Sequence, residues 1–169
     1  QLTKVYEELV MNPDSRRLFV SAWNVDALQD MALPPCHTGF QLVTSPDNTL
    51  SMTVNLRASD AYLGLPFNVA SYAALLHLFA WLSDREPAYL NFAMSNVEVY
   101  MTHKDALDEY LNSALTDLPQ MEFKPSVTWL ESDDDCDFSQ IQPDWFHVTG
   151  YTAEKVISAP MATTPKSML

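Results

Sequence analysis

The sequence predicts an α+β fold in which a mixed or antiparallel sheet packs on one long buried helix. Thr49 to Arg57 alternates cleanly, with Leu50, Met52, Val54 and Leu56 on one face and Ser51, Thr53, Asn55 and Arg57 on the other. His37 to Val43 is a second strand, joined to the first by a turn at Ser45-Pro46-Asp47-Asn48, so the two make a hairpin. The stretch from about Phe67 to Leu82 is apolar almost all round, the signature of a central buried helix.

Around this hairpin and helix the other elements follow in order. Leu2, Val5, Leu9 and Val10 set an amphipathic helix over Gln1 to Met11, ended by Asn12-Pro13. Leu18 to Trp23 is a short strand, and Asn24 to Ala32 a short helix or turn capped by Asn24 and stopped by Pro34-Pro35. Tyr89 to Met101 is a third long strand. Thr102-x-x-Asp105 has the form of a capping sequence opening a helix through Ala114. Ser126–Leu130, Phe146–Thr149 and Lys155–Ala159 are short extended pieces, and Thr163 to Leu169 is a polar tail expected to be loose. Asn68, near the start of the apolar helix, suits a cap.

Composition bounds the function. With 169 residues, 47% of them hydrophobic and 18% charged, the chain suits one domain with a real core. Three glycines argue against a Gly-rich phosphate loop. A net charge of −13 repels polyanions, so nucleic acid is not an expected partner. No apolar run reaches the roughly 20 residues of a bilayer span; the longest, Ala70 to Leu82, carries Ser71 and His77. Two cysteines in unlike surroundings fit a reducing cytoplasm rather than a disulfide framework. The acidic loop Glu131–Asp137 lacks the glycine and ligand spacing of a calcium loop, so no metal is expected; Cys136 in that negative field should be unreactive. A chain opening on Gln1 is expected to begin partway through a domain.

Leu33-Pro34-Pro35-Cys36-His37-Thr38 holds the other cysteine. Hairpin pairing brings Cys36, at the start of one strand, against Arg57 at the end of its partner, and a nearby arginine favours a thiolate. By residue type alone Cys36 is either a buried structural cysteine or a nucleophile, and His37, its neighbour on a strand, need not touch it. Arg16-Arg17 is either a solvated loop or a phosphate fork.

The ordered set Asn12–Arg17, Ser21–Asn24, Met31–Thr38, Asp60, Leu63–Tyr72, Gly150-Tyr151 and Ile157–Ala162 resembles the C-terminal two-thirds of the thymidylate synthase family, which is grouped with phage deoxypyrimidine hydroxymethylases. The resemblance implies that Cys36 attacks C6 of a pyrimidine nucleotide and that C5 takes a one-carbon unit from 5,10-methylenetetrahydrofolate. A synthase ends with a methyl group, a hydroxymethylase with water trapped on the exocyclic carbon. It further implies that Arg57 holds the substrate phosphate, while Arg16 and Arg17 cross to the site of a partner in a homodimer formed through the sheet. Asn68 would read uracil, where aspartate goes with cytosine. His37 would order polar contacts at the ring, and Tyr100 would contact the sugar. Asp60, also implied in catalysis, would face the folate together with Leu63, Gly64 and Phe67.

The chain departs from the family pattern in places. Ala58 stands where a phosphate-binding serine is usual, and Ser59, one position later, is the candidate to bind the phosphate in its place. Glu98 stands where a sugar-contacting histidine is usual; it can accept from a sugar hydroxyl but adds negative charge. Asn55-Leu56-Arg57 leans towards the hydroxymethylase branch. The family ends near Ala159–Ala162, where its terminal carboxylate helps close the site, and the residues after Ala162 change that closure. The family's N-terminal third, absent here, supplies a glutamate base, a further phosphate arginine and folate-packing tryptophans. A non-catalytic nucleotide-binding or dimerising homologue is the alternative of another class.

Overall fold

The computed structural model describes residues 1–114, 117–126, 137–152 and 155–161. Helix α1 (Leu2–Met11) precedes strand β1 (Phe19–Ser21). A short 3-10 turn at Val25–Asp30 follows; Asn24 stands at its cap without a side-chain capping bond. Strands β2 (His37–Thr44) and β3 (Thr49–Leu56) form the expected hairpin. Then come β4 (Ser59–Asp60), helix α2 (Gly64–Leu82), β5 (Glu86–Met94), β6 (Val97–Glu98), helix α3 (Lys104–Leu111), β7 (Gln120–Phe123) and β8 (Phe146–Thr149).

The sheet is mixed, in the order β1-β2-β3-β5, with β1, β2 and β3 antiparallel and β5 parallel to β3. The α2 crossover makes the parallel pair possible, since parallel neighbours need a long connection. Leu50, Met52, Val54 and Leu56 are all buried, as the alternation requires, and each such side chain contributes about 1.5–3 kcal/mol. They share one core with Val5 and Leu9 of α1, Phe40 and Leu42 of β2, and Leu76, Phe79 and Ala80 of α2.

Several expectations change. Helix α2 starts at Gly64, so Asn68 lies inside it rather than at its cap. It is not buried all round: the Leu76, Phe79 and Ala80 side meets the core, while Phe67 is 74% exposed. At 19 residues it is, by length and composition alone, long and apolar enough to cross a membrane, although here it packs against β3, β5 and β7. The third strand stops at Met94, opposite Leu56 where its partner β3 also ends; Ser95 N–H donates to Leu56 O (2.9 Å) as the last bond of that parallel ladder, and β6 then pairs with β4 instead. Thr102 falls in a 3-10 turn over Met101–His103, and α3 starts only at Lys104, with no capping side chain. Phe146–Thr149 is a strand as read, paired with β7, which the sequence reading missed. Lys155–Ala159 forms no strand. Residues 127–130, the acidic loop up to Cys136 and the tail 163–169 lie outside the described residues.

Gly39 sits where β2 is squeezed between β1 and β3. A Cβ there would stand 2.6 Å from Val20 O and 3.0 Å from the Phe19 ring, and the first of these is backbone. Gly39→Ala is therefore expected to destabilise the fold by about 1–3 kcal/mol. In urea titration this appears as a lower midpoint with an unchanged slope; an unshifted midpoint contradicts the crowding.

Candidate active site

The Cys36 segment is held from two sides. Arg57 N–H donates to Cys36 O (2.9 Å), which extends the hairpin by one bond beyond its regular ladder. The Arg57 guanidinium then reaches back, Nε donating to Pro35 O (3.0 Å) and Nη2 to Pro34 O (2.8 Å), with its carbon 5.7 Å from the centre of the Trp23 ring. Arg57 thus fixes the proline pair that presents Cys36, and the other donors of its fork stay available to an anion. The Cys36 thiol is free and half-buried.

A bulge aims His37. The register passes from His37↔Leu56 directly to Gly39↔Asn55, so Thr38 is the extra residue. Thr38 Oγ1 donates to Asn55 O (3.3 Å), and its carbonyl accepts from Ala22 N–H (3.1 Å). His37 is thereby paired with a core-facing position instead of following Gly39 to the outer face, and its ring meets Tyr72 of α2 edge-on at 5.8 Å. Burial pushes the Tyr72 hydroxyl pKa up. Asn68 lies one helical turn before Tyr72 and so on the same side of α2. It is half-buried, and its amide has no hydrogen-bond partner among the described residues.

The acidic side of the site is built on the β4–β6 pair. Asp60 Oδ1 accepts from Tyr62 N–H (3.0 Å) and Leu63 N–H (3.1 Å), closing the turn that opens α2. A Cβ on Gly64 would lie 3.3 Å from Asp60 Cβ, so glycine lets that turn stay tight. Glu98 Oε1 accepts from Asn96 Nδ2 (2.9 Å). The Tyr100 hydroxyl pKa is raised by desolvation first, then by the charges of Glu98 and Asp60, a hydrogen bond to Glu98, and Cys36. Tyr100 therefore lies within electrostatic reach of Glu98, Asp60 and Cys36.

Two predicted phosphate groups are placed elsewhere. Ser59 is 4% exposed with its hydroxyl unpaired, so a ligand would have to enter the interior to meet it. Arg16 and Arg17 are exposed beside the Thr44 end of β2, where Thr44 Oγ1 anchors the loop through Pro13 O (2.8 Å). Cys36 precedes the opposite end of that strand, about 20 Å away at the usual rise per residue, well beyond the reach of an arginine side chain. No group of three or more potential metal ligands occurs among the described residues.

The sequence that builds this arrangement has relatives. The family profile of thymidylate synthase matches residues 1–163. The chain belongs to the thymidylate synthase family. It is 38% identical over 167 residues to the probable thymidylate synthase of Escherichia phage T5, covering 96% of this chain and 57% of that one. It is 37% identical over 162 residues to the thymidylate synthase of Coxiella burnetii, covering 96% of this chain and 58% of that one. The chain therefore spans a little over half the length of these synthases.

One residue beneath this thymidylate synthase-like site escaped the sequence reading. His103 is fully buried, flanked by the rings of Tyr62 (5.7 Å) and Tyr100 (5.4 Å), and its Nδ1 lies 3.7 Å from Asp60 Oδ1. The available signal was its spacing from Tyr100: residues three apart in a 3-10 turn eclipse one another.

Proposed function

We propose that this chain carries the nucleotide-binding and nucleophilic part of a folate-dependent thymidylate synthase acting on dUMP in the cytoplasm. The observation that supports it most directly is Cys36 presented by the Arg57 clamp, in a chain of that family. In this reading the Cys36 thiolate adds to C6 of the pyrimidine, and the electron pair released onto C5 attacks the methylene carbon of 5,10-methylenetetrahydrofolate. The bond from that carbon to folate N10 breaks as the new one forms; C5 then loses its proton, and the bond to N5 breaks to leave an exocyclic methylene on C5 and release tetrahydrofolate. Hydride passes from the reduced folate to the exocyclic methylene, and the Cys36–C6 bond breaks to give dTMP and dihydrofolate. Arg57 holds the phosphate with the donors it does not spend on Pro34 and Pro35. Each charge-assisted hydrogen bond contributes about 1.5–3 kcal/mol, enough for a few arginines to anchor a dianion on an acidic protein. Asn68 donates to uracil O4 and accepts from N3–H. Asp60, Leu63, Gly64 and Phe67 face the folate, and His37 and Tyr100 face the ring and sugar.

The distance between Arg16-Arg17 and Cys36 within one chain supports a homodimer in which each site borrows the partner's arginines. The test mixes two variants of the protein as its gene encodes it, Cys36→Ser and Arg16→Ala/Arg17→Ala, each inactive alone. After exchange, half the dimers are mixed and each has one intact site, so about a quarter of wild-type tritium release from C5-labelled dUMP returns. Absorbance at the dihydrofolate band rises in step. Tritium release with flat absorbance means a hydroxymethylase instead. No recovery on mixing rejects the shared site, and no release by the wild type rejects the enzyme.

A further inference from the structure

The segment 155–161 lies mostly exposed, and only Ile157 and Ala159 are half-buried. Its described ties to the body include an exposed ion pair and a buried hydrogen bond. Lys155 forms an ion pair with Glu109 of α3, with both groups exposed, and such a pair contributes little. The other tie is buried: His103 Nε2 stands 2.7 Å from Pro160 O. A carbonyl cannot donate, so Nε2 carries the proton. The remaining ring nitrogen, Nδ1, is buried without a hydrogen-bond partner and faces Asp60 Oδ1 at 3.7 Å. An orphaned buried ring nitrogen is costly, which marks this ring as held for a purpose other than core filling.

We propose that His103 is a positioning residue that couples the segment 155–161 to the Asp60 carboxylate, so that the two hold one another in place. The ring is locked between Tyr62 and Tyr100. Nε2 donates to Pro160 O, and Nδ1 presents its lone pair to Asp60 Oδ1 at 3.7 Å, which keeps that oxygen turned onto the Tyr62 and Leu63 amides that close the turn into α2. Displacing the segment frees the ring and loosens Asp60, and a ligand that fixes Asp60 fixes the segment. The ligand named here, a reduced folate, rests on the reading above; the tie between His103 and Pro160 does not.

The test uses three readouts on the full-length protein. In the wild type labelled with 15N-histidine, His103 shows a slowly exchanging Nε2–H; a rapidly exchanging one overturns the tie without any variant. His103→Ala raises amide exchange across 155–161 about tenfold, and His103→Gln, whose amide N–H reaches the place of Nε2, restores protection. Unchanged exchange in His103→Ala, or no rescue by His103→Gln, overturns the proposal. In turnover, His103→Ala raises the KM for methylenetetrahydrofolate by about the same factor while the KM for dUMP stays nearly constant. An equal loss for both substrates, or in kcat alone, identifies a purely structural histidine. A wild type with no turnover rejects the enzymatic reading, and the exchange and ring measurements still decide the coupling.

Discussion

Replacing Cys36 with serine lowers tritium release from C5-labelled dUMP by roughly four orders of magnitude or more. Serine keeps the size of the side chain and leaves all three Arg57 hydrogen bonds intact, since these run to main-chain carbonyls at Pro34, Pro35 and Cys36. The fold and the phosphate site therefore survive, and Tm stays near that of the wild type. What changes is the nucleophile. Sulfur is intrinsically the stronger nucleophile, whereas a serine hydroxyl needs a general base to attack. The measurement is release per active site, with thermal melting as the control. Release persisting within tenfold of the wild type removes Cys36 from the chemistry.

Asn68→Asp exchanges the base that is read. Turnover of dUMP falls by about two to four orders of magnitude, and the cytosine nucleotide becomes the better substrate. The amide both donates and accepts, matching uracil O4 and N3–H. An ionised carboxylate only accepts, so it opposes O4 and welcomes the cytosine amino group. The position tolerates the change: Asn68 is half-buried in the N-terminal half of α2, with no hydrogen-bond partner among the described residues, and aspartate is nearly isosteric with it. Competition between the two nucleotides gives the ratio of kcat/KM directly. An unchanged ratio shows that Asn68 does not read the ring.

Much of this site is encoded by neighbours in the chain. The alternation over Thr49–Leu56 set which residues enter the core, and antiparallel pairing alone placed Arg57 against Cys36, where its amide meets the Cys36 carbonyl. The helix carrying Asn68 was legible from its apolar run, though not its start at Gly64, which depends on Asp60 capping the turn through Tyr62 and Leu63. The break after Met94 was invisible, because β5 ends where its parallel partner β3 ends at Leu56, in a strand nearly forty residues away. The family, too, was legible from ordered motifs, since spacing along the chain survives divergence of single positions.

For the Cys36 segment, then, the sequence determined the thiol, its arginine neighbour and the family of the chain. Only the tertiary structure decided how those groups are aimed. Thr38 bulges and turns His37 towards Tyr72, and Arg57 spends two donors on Pro34 and Pro35. Arg16 and Arg17 lie at the far end of β2, and His103 is buried with Nε2 on Pro160 O and Nδ1 facing Asp60. The physical reason is range. Periodicity and strand pairing act over a few residues and leave a pattern in the letters. A bulge, a buried histidine or a side chain gripping a distant carbonyl depends on which parts of the chain the finished fold brings together.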